Sequence, residues 1–445
     1  MHEAEDFYRR LIDANKAESV SSAKAQQHYI ETKTARYHGY LARTLYMPKL
    51  FTSEMAAYIE KNALIMYGIL EKVIARYRQS TEYRSLFGFD ERLERLILRP
   101  RHYDCAIPMA RLDIFLNEDD YSFKFCEFNT DGTSAMNEDK ELNEAIRVTD
   151  TFRRFKTRYN TRTFELFDSW VKEFIHIYST YDNSTGKKPY VAIVDFFGGD
   201  VSREFTNFRN AFQENGLECE ICEITSLRYE NGALFSPTGH KIDAVYRRAV
   251  TVDIMNNYEA VMPFIRAAED NSVCLIGDFE TQIVHNKIVF KILRDPMTTA
   301  FLTDDERQFV NEHIPLTVSL TSENVSKYSV LENKEKWVIK PEDSYASRGV
   351  FAGVENITAS EWENAVTENC GKRYLLQEYC EPYASWNIDL THDENAGYMK
   401  YSNITGIYMY AGKFAGLYSR IARNSIISTQ YSEMSLPTVI ADKKI

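Results

Sequence analysis

Met109–Leu116 reads MARLDIFL and Phe123–Asn129 reads FKFCEFN, two strand-like runs on either side of the polar stretch NEDDYS. Successive side chains of a strand point to opposite faces, so Arg111 and Asp113 share one face while Ala110, Leu112, Ile114 and Leu116 line the other. The same alternation groups Phe125, Glu127 and Asn129. With a hairpin loop at Glu118–Ser122, Asp113 faces Glu127 and Arg111 faces Asn129, their Cβ atoms roughly 5 Å apart. A shift of the loop by one residue destroys that pairing. Two carboxylates and an amide oxygen beside an arginine are hard ligands of the kind Mg²⁺ uses while holding a nucleotide's phosphates. Asp113, Glu127 and Asn129 are therefore a candidate metal triad, the other reading being a solvated charged face with cross-strand salt bridges.

Around this hairpin the chain changes character several times. Before it, Ile59, Ala63, Met66, Ile69, Leu70, Val73 and Tyr77 recur at helical spacing behind Thr52 and Ser53, candidate N-caps, so the first hundred residues are mainly helical. Helical patterning returns from about Glu138 to Tyr178, and YDNSTGKK (181–188) has the composition of a linker. The run PYVAIVDFFGGD, a helical stretch, LECEICEI, AVYRR and SVCLIGDF alternate strand and helix, the order of a parallel α/β unit. Gly198 and Gly199 suggest a tight turn there; a GxGxxG fingerprint is absent. A helix is expected near Asn286–Leu293, then strands at WVIKP, VFAGV and YLLQEY, and a last hairpin turning at Ala411–Lys413.

Bulk composition limits the function classes. At 445 residues the chain exceeds what one hydrophobic core usually supports, so two or three lobes with a cleft between them are expected. Its 53 Lys and Arg against 65 acids, net charge −12, argue against nucleic-acid binding, which needs a basic face. No apolar run approaches the roughly 18 residues of a membrane span, and the charged start MHEAEDFYRR has no secretory core, so a cytoplasmic location is expected. The seven scattered cysteines, including Cys219 and Cys222 in one strand, suit reduced thiols.

Further candidates lie downstream. Lys340 ends WVIKP, and DSYASRG beyond it can turn backbone N–H groups toward an anion, although a strand-end lysine is often only a solvated cap. Arg247 and Arg248, and Arg420 and Arg423, suit bidentate carboxylate or phosphate oxygens or, alternatively, surface ion pairs.

Taken in order, RLDIF, CEFNTDGTS, IDAVYRR, HNKIVFKIL, WVIKPEDSYASRG, LLQEY and GLYSRIARNSIIS resemble the synthetase domain of glutathionylspermidine synthase and its permuted ATP-grasp relatives, from about Ile30 to about Ser428. The resemblance implies an α/β (α+β) permuted ATP-grasp fold, with the metal-binding acids ahead of the nucleotide-gripping lysines. It divides the chain into a helical region with the metal-site hairpin (1–185), an inserted Rossmann-like pre-ATP-grasp lobe (186–285), a lid lobe (286–384) and return strands (385–445). It implies ATP and Mg²⁺ as cofactors, Asp113, Glu127 and Asn129 as metal ligands, and Arg111 and Arg420 as catalytic arginines. Lys287, Lys340, Ser347, Gly349, Gln377, Glu378 and Tyr379 would then hold ATP, and Thr133, Ser134 and Arg247 the substrate. The lid segment DSYASRG, with Gly349 as its one glycine, departs from the family's glycine-rich pattern. The implied activity joins a small-molecule carboxylate to an amine through an acyl phosphate, with no nucleic-acid or membrane partner. A non-catalytic ATP-binding protein of the same fold and a nicotinamide-dependent reductase are the alternatives.

Overall fold

The computed structural model describes residues 2–444 except 34–35, 38–39, 200, 345–347, 355–356, 425 and 428–432. The chain starts with α1 (His2–Ala14) and α2 (Lys16–Thr32), then the long α3 (Ser53–Gln79). Thr52 caps α3 as its spacing predicts: its side chain accepts the Met55 N–H. The buried stripe from Met55 to Tyr77 packs into the main core.

The hairpin follows as β1 (Met109–Leu116) and β2 (Phe123–Asn129), leading into α4 (Met136–Ala145). A parallel four-stranded sheet is built from β3 (Tyr190–Asp195), then, after α5 (Arg203–Glu214), β4 (Glu218–Glu223), β5 (Ala244–Arg247) and β6 (Cys274–Ile276), in the order β6-β5-β3-β4. An antiparallel sheet comes next: β7 (Thr317–Ser319), β8 (Trp337–Pro341), β9 (Phe351–Ala352) and β10 (Tyr374–Glu378), ordered β7-β10-β8-β9. Its outer face packs on the buried Trp362 and Val366. The helix expected near Asn286–Leu293 is only one turn, Val289–Ile292.

The chain then returns to the first hairpin through β11 (Ala384–Asn387), β12 (Met399–Tyr410), β13 (Lys413–Ala422) and β14 (Met434–Leu436). β12 pairs antiparallel with β1, giving the order β14-β13-β12-β1-β2, with β11 also on β12. The turn between β12 and β13 is Ala411 and Gly412, both with positive φ, as a tight two-residue hairpin requires. One face of this sheet, with Leu112, Ile114, Phe128, Ile407 and Leu417, is buried in the core that includes α3. The other face looks toward the lid sheet.

The hairpin loop differs from the expected five residues. It runs over six, Asn117–Ser122, closed by Asn117 N–H to Ser122 O at 2.8 Å. An even loop alone would misplace the acids. A β-bulge restores them: Ile114 pairs with Phe125 but Asp113 pairs with Glu127, leaving Cys126 as the extra residue. Phe125 consequently turns into the apolar core and does not join Glu127.

Candidate active site between two sheets

Arg111, Asp113, Glu127 and Asn129 share one sheet face by register, Arg111 opposite Asn129 and Asp113 opposite Glu127. Arg420 joins them from β13, because it pairs with Ile404 on β12, two positions from Gly406 opposite Asp113. Asp113 is fully buried. It accepts Arg111 Nε at 2.7 Å and Nη2 at 3.1 Å, Arg420 Nη2 at 2.6 Å and Asn129 Nδ2 at 3.2 Å. Arg111 also donates to Ser134 O at 2.9 Å, and Arg420 reaches Glu433 at 3.3 Å.

This packing depends on a glycine. A Cβ at Gly406 would lie 2.7 Å from Arg111 Cδ and 3.0 Å from Asp113 Oδ1, closer than side-chain atoms tolerate. The strand interior is a poor place for glycine unless another group approaches closely, and here the Arg111 side chain does. Sequence analysis missed Gly406, because its need arises from a strand far away in the chain.

The lid side contributes two lysines. Lys287 pairs with Glu127 at 2.9 Å and donates to Ser344 O, so it joins β2 to the lid loop. Burial alone would raise the Glu127 pKa, but Lys287 and more distant cations outweigh it and hold the carboxyl far below its ordinary value. Lys340, on the inner face of β8, is 6% exposed and has neither hydrogen bond nor ion pair among the described residues. Its ammonium lies 5.1 Å from the Phe290 ring centroid. Desolvation, and to a lesser degree Lys287, lowers its pKa. Four cations, Arg111, Arg420, Lys287 and Lys340, thus face three carboxylates, Asp113, Glu127 and Glu433. The surplus is positive, so the site attracts an anion. Beside it lies an apolar patch of Ile404, Ala422 and Ile427 with Phe115 and Cys126.

The other expected residues divide. Gln377 is opposite Val338 and shares the Lys340 face of the lid, where it donates to Thr317 at 2.8 Å. Glu378 is opposite Trp337, on the other face, and its carboxylate accepts the Leu316 N–H at 3.2 Å. Tyr379 N–H donates to Lys336 O at 2.8 Å where the chain leaves the lid sheet. Gly349 has φ +73° and a Cβ there would meet Tyr374 Oη at 2.6 Å. Ser347 lies outside the described residues. Thr133 donates to Asn129 O at 2.6 Å, and the Ser134 carbonyl accepts from both Arg111 and Tyr408, at 2.9 and 2.8 Å.

Arg247, expected at the substrate, is instead consumed by the fold. It is 3% exposed, ion-paired to Asp131, and donates to the carbonyls of Gly277, Ala249 and Asp278 and to Thr251 and Thr281. No donor of its guanidinium is left over. The Gly198–Gly199 turn is likewise occupied, since the Phe197 and Gly198 N–H groups donate to Glu223 at 3.0 and 2.9 Å where a dinucleotide phosphate would sit. Among the described residues no helix is long and apolar enough to cross a membrane, and no group of three His, Cys, Asp or Glu could hold a metal.

A sheet carrying acids and arginines is thus faced by a smaller sheet carrying Lys340, with Lys287 from the segment ahead of it, and comparison with solved structures finds this overall fold elsewhere. A glutathione synthetase-like effector from Globodera pallida superposes with a TM-score of 0.60, covering 95% of this chain and 96% of that one at 11% identity. A putative gamma-glutamylcysteine synthetase from Methylobacillus flagellatus covers 87% and 89% at TM-score 0.40 and 10% identity. D-alanyl-alanine synthetase A from Vibrio cholerae covers 58% and 89% at TM-score 0.29 and 11% identity. No family model and no curated protein matches the sequence. The likeness to the Globodera pallida effector is one of fold.

Proposed function

We propose that the protein is an ATP- and Mg²⁺-dependent carboxylate–amine ligase working through an acyl phosphate, of the permuted ATP-grasp type that glutathionylspermidine synthase represents. The observation that carries this reading is Lys340, a buried ammonium with neither hydrogen bond nor ion pair among the described residues, on the inner face of the lid sheet near Lys287 and Glu127. A buried charge without a counter-ion is costly, and a bound polyphosphate supplies one. The division at residues 185, 285 and 384 belongs to the same reading.

In this reading Lys340, Lys287 and Arg420 hold the phosphates, and the nucleoside lies on the Ile404–Ala422 patch against the Gln377 face of the lid. Arg111 steadies the carboxylate as it attacks the γ-phosphorus, its fork spanning oxygens that exchange charge. Ser134 O and Asp113 fix that fork in advance. An amine then displaces phosphate from the acyl phosphate, and the closed lid excludes water.

Asp113, Glu127 and Asn129 fit a hard cation by donor type, yet both carboxylates are already neutralised by Arg111, Arg420 and Lys287. Free Mg²⁺ finds no negative surplus there; with the nucleotide bound, these three residues would hold it, and it would screen the phosphates. Three melting curves follow from this charge count. Mg-ATP at 100 times its Kd should stabilise by about 2.7 kcal/mol, whereas MgCl₂ alone and NADH should not shift the midpoint. A shift with NADH and none with Mg-ATP would refute the reading, and phosphate release against a matrix of acids and amines then tests turnover.

Gly406→Ala should displace Arg111 from Asp113 and lower turnover by about 10²-fold, the cost of a roughly 1 Å misplacement. Phosphate release at saturating ATP measures it, and near-normal turnover would show that Arg111 needs no such space.

A further inference from the structure

We propose that Lys287 is an interlock on the candidate metal position: its ammonium fills the place of the cation in the nucleotide-free protein, and a divalent ion enters only when a bound polyphosphate draws that ammonium away. The inference rests on the ligase reading above and concerns how the same site is regulated.

The oxygens around Lys287 are those a hard cation takes. Its Nζ lies 2.9 Å from Glu127 Oε1 and also donates to the Ser344 carbonyl of the lid loop, so a carboxylate and a carbonyl share one positive charge. Asn129 stands two residues on along the same strand, past Phe128, which turns into the core. Its amide nitrogen donates to Asp113 at 3.2 Å, which leaves its Oδ1 without a partner among the described residues. Asp113 itself is closed to a cation, because its Oδ1 accepts from Arg111 and its Oδ2 from Arg111, Arg420 and Asn129. Glu127 keeps 27% of its side chain exposed, so an ion from solvent can reach it once the ammonium has moved.

The three carboxylates of the site differ in what holds them. Asp113 and Glu433 are paired to arginines, and Glu127 alone to a lysine. A guanidinium grips through a rigid fork, whereas an ammonium is a point charge on a flexible stem and is the easier of the two to draw off. The main chain at Lys287 stays anchored, with its N–H donating to Glu342 O at 2.9 Å and the next N–H, of Ile288, to Asn286 Oδ1 at 3.0 Å. Movement of the charge is therefore confined to the side chain. A polyphosphate held by Lys340 brings several negative charges against the single one of Glu127, so the ammonium follows the larger charge. Glu127 and Asn129 are then free to hold a cation together with phosphate oxygens, and each ligand strengthens the other's binding.

Mn²⁺ shares the preference of Mg²⁺ for oxygen ligands. Titrated into nucleotide-free protein and followed by its electron paramagnetic resonance signal, it tests the interlock without turnover. Wild type should leave the signal of the free ion unchanged, whereas Lys287→Met should bind Mn²⁺ at least about tenfold more tightly, a coupling of ordinary size. Lys287→Gln, which keeps a donor for Ser344 O, should gain the same affinity, so poor folding of the methionine variant does not remove the test. Adding Glu127→Gln to either variant should abolish the gain. Wild type that binds Mn²⁺ as tightly as the lysine variants, no gain in Lys287→Gln, or a gain that survives Glu127→Gln would overturn the proposal. A wild-type melting temperature indifferent to Mg-ATP would refute the ligase reading and the interlock with it; a normal response to Mg-ATP beside an unchanged Mn²⁺ titration of Lys287→Gln would overturn the interlock alone.

Discussion

Lys340→Met should abolish the Mg-ATP-dependent rise in melting temperature and lower turnover by about 10² to 10³-fold, while the nucleotide-free protein melts no earlier than wild type. Function and stability diverge because Lys340 has no ion-pair partner among the described residues and sits on the inner lid face at 6% exposure. Removing a buried, unpaired charge relieves a desolvation penalty, and methionine keeps the length and the contact with Phe290. Sites built for ligands often carry strain of this kind. Differential scanning with and without Mg-ATP, followed by phosphate release, measures both halves. A variant that melts earlier and still responds to Mg-ATP would show Lys340 to be a structural residue.

Arg111→Lys should lower turnover by about 10² to 10³-fold, the usual loss for one preorganised donor, with little change in ATP affinity. Lysine keeps the charge but cannot serve two Asp113 oxygens, Ser134 O and a reacting oxygen together. Arg111→Ala should do more. It leaves the fully buried Asp113 with Arg420 as its remaining cation, and breaking a buried pair from one side costs about 3–5 kcal/mol. The pair of variants distinguishes roles: lysine should lose rate, alanine both rate and melting temperature. Near-wild-type turnover for Arg111→Lys would confine Arg111 to holding the hairpin.

The sequence made the composition of this face readable before its geometry. Period-two alternation places Arg111 with Asp113 because strand direction is a local property. Loop length is not: six residues replace five, and the bulge at Cys126 corrects the phase, so Glu127 arrives where expected for a reason alternation cannot show. Phe125, assigned by strict alternation to the polar face, is the residue that the bulge moves. Arg247 illustrates another limit. An arginine beside another in a strand looks available, but Gly277 O, Asp278 O and Asp131 are brought to it only by the parallel sheet and the loop after β2. Glu378 shows a third, since which face of β10 meets the cleft depends on its pairing with β8. Gly406 stayed hidden because it is explained by a partner distant in sequence, Arg111.

The central sheet is closed by pairing Met109 with Tyr410, so its two halves are synthesised far apart in time. On a ribosome, β1 emerges early with one edge occupied by β2 and the other bare until β12 follows. Loop closure over so long a span makes this pairing slow, and an open strand edge invites pairing with another chain. The parallel sheet and the lid draw on local contacts and are free to fold first. The candidate active site cannot assemble before β12 is made, and a nascent chain stopped before residue 399 would carry an adhesive edge in place of an active centre.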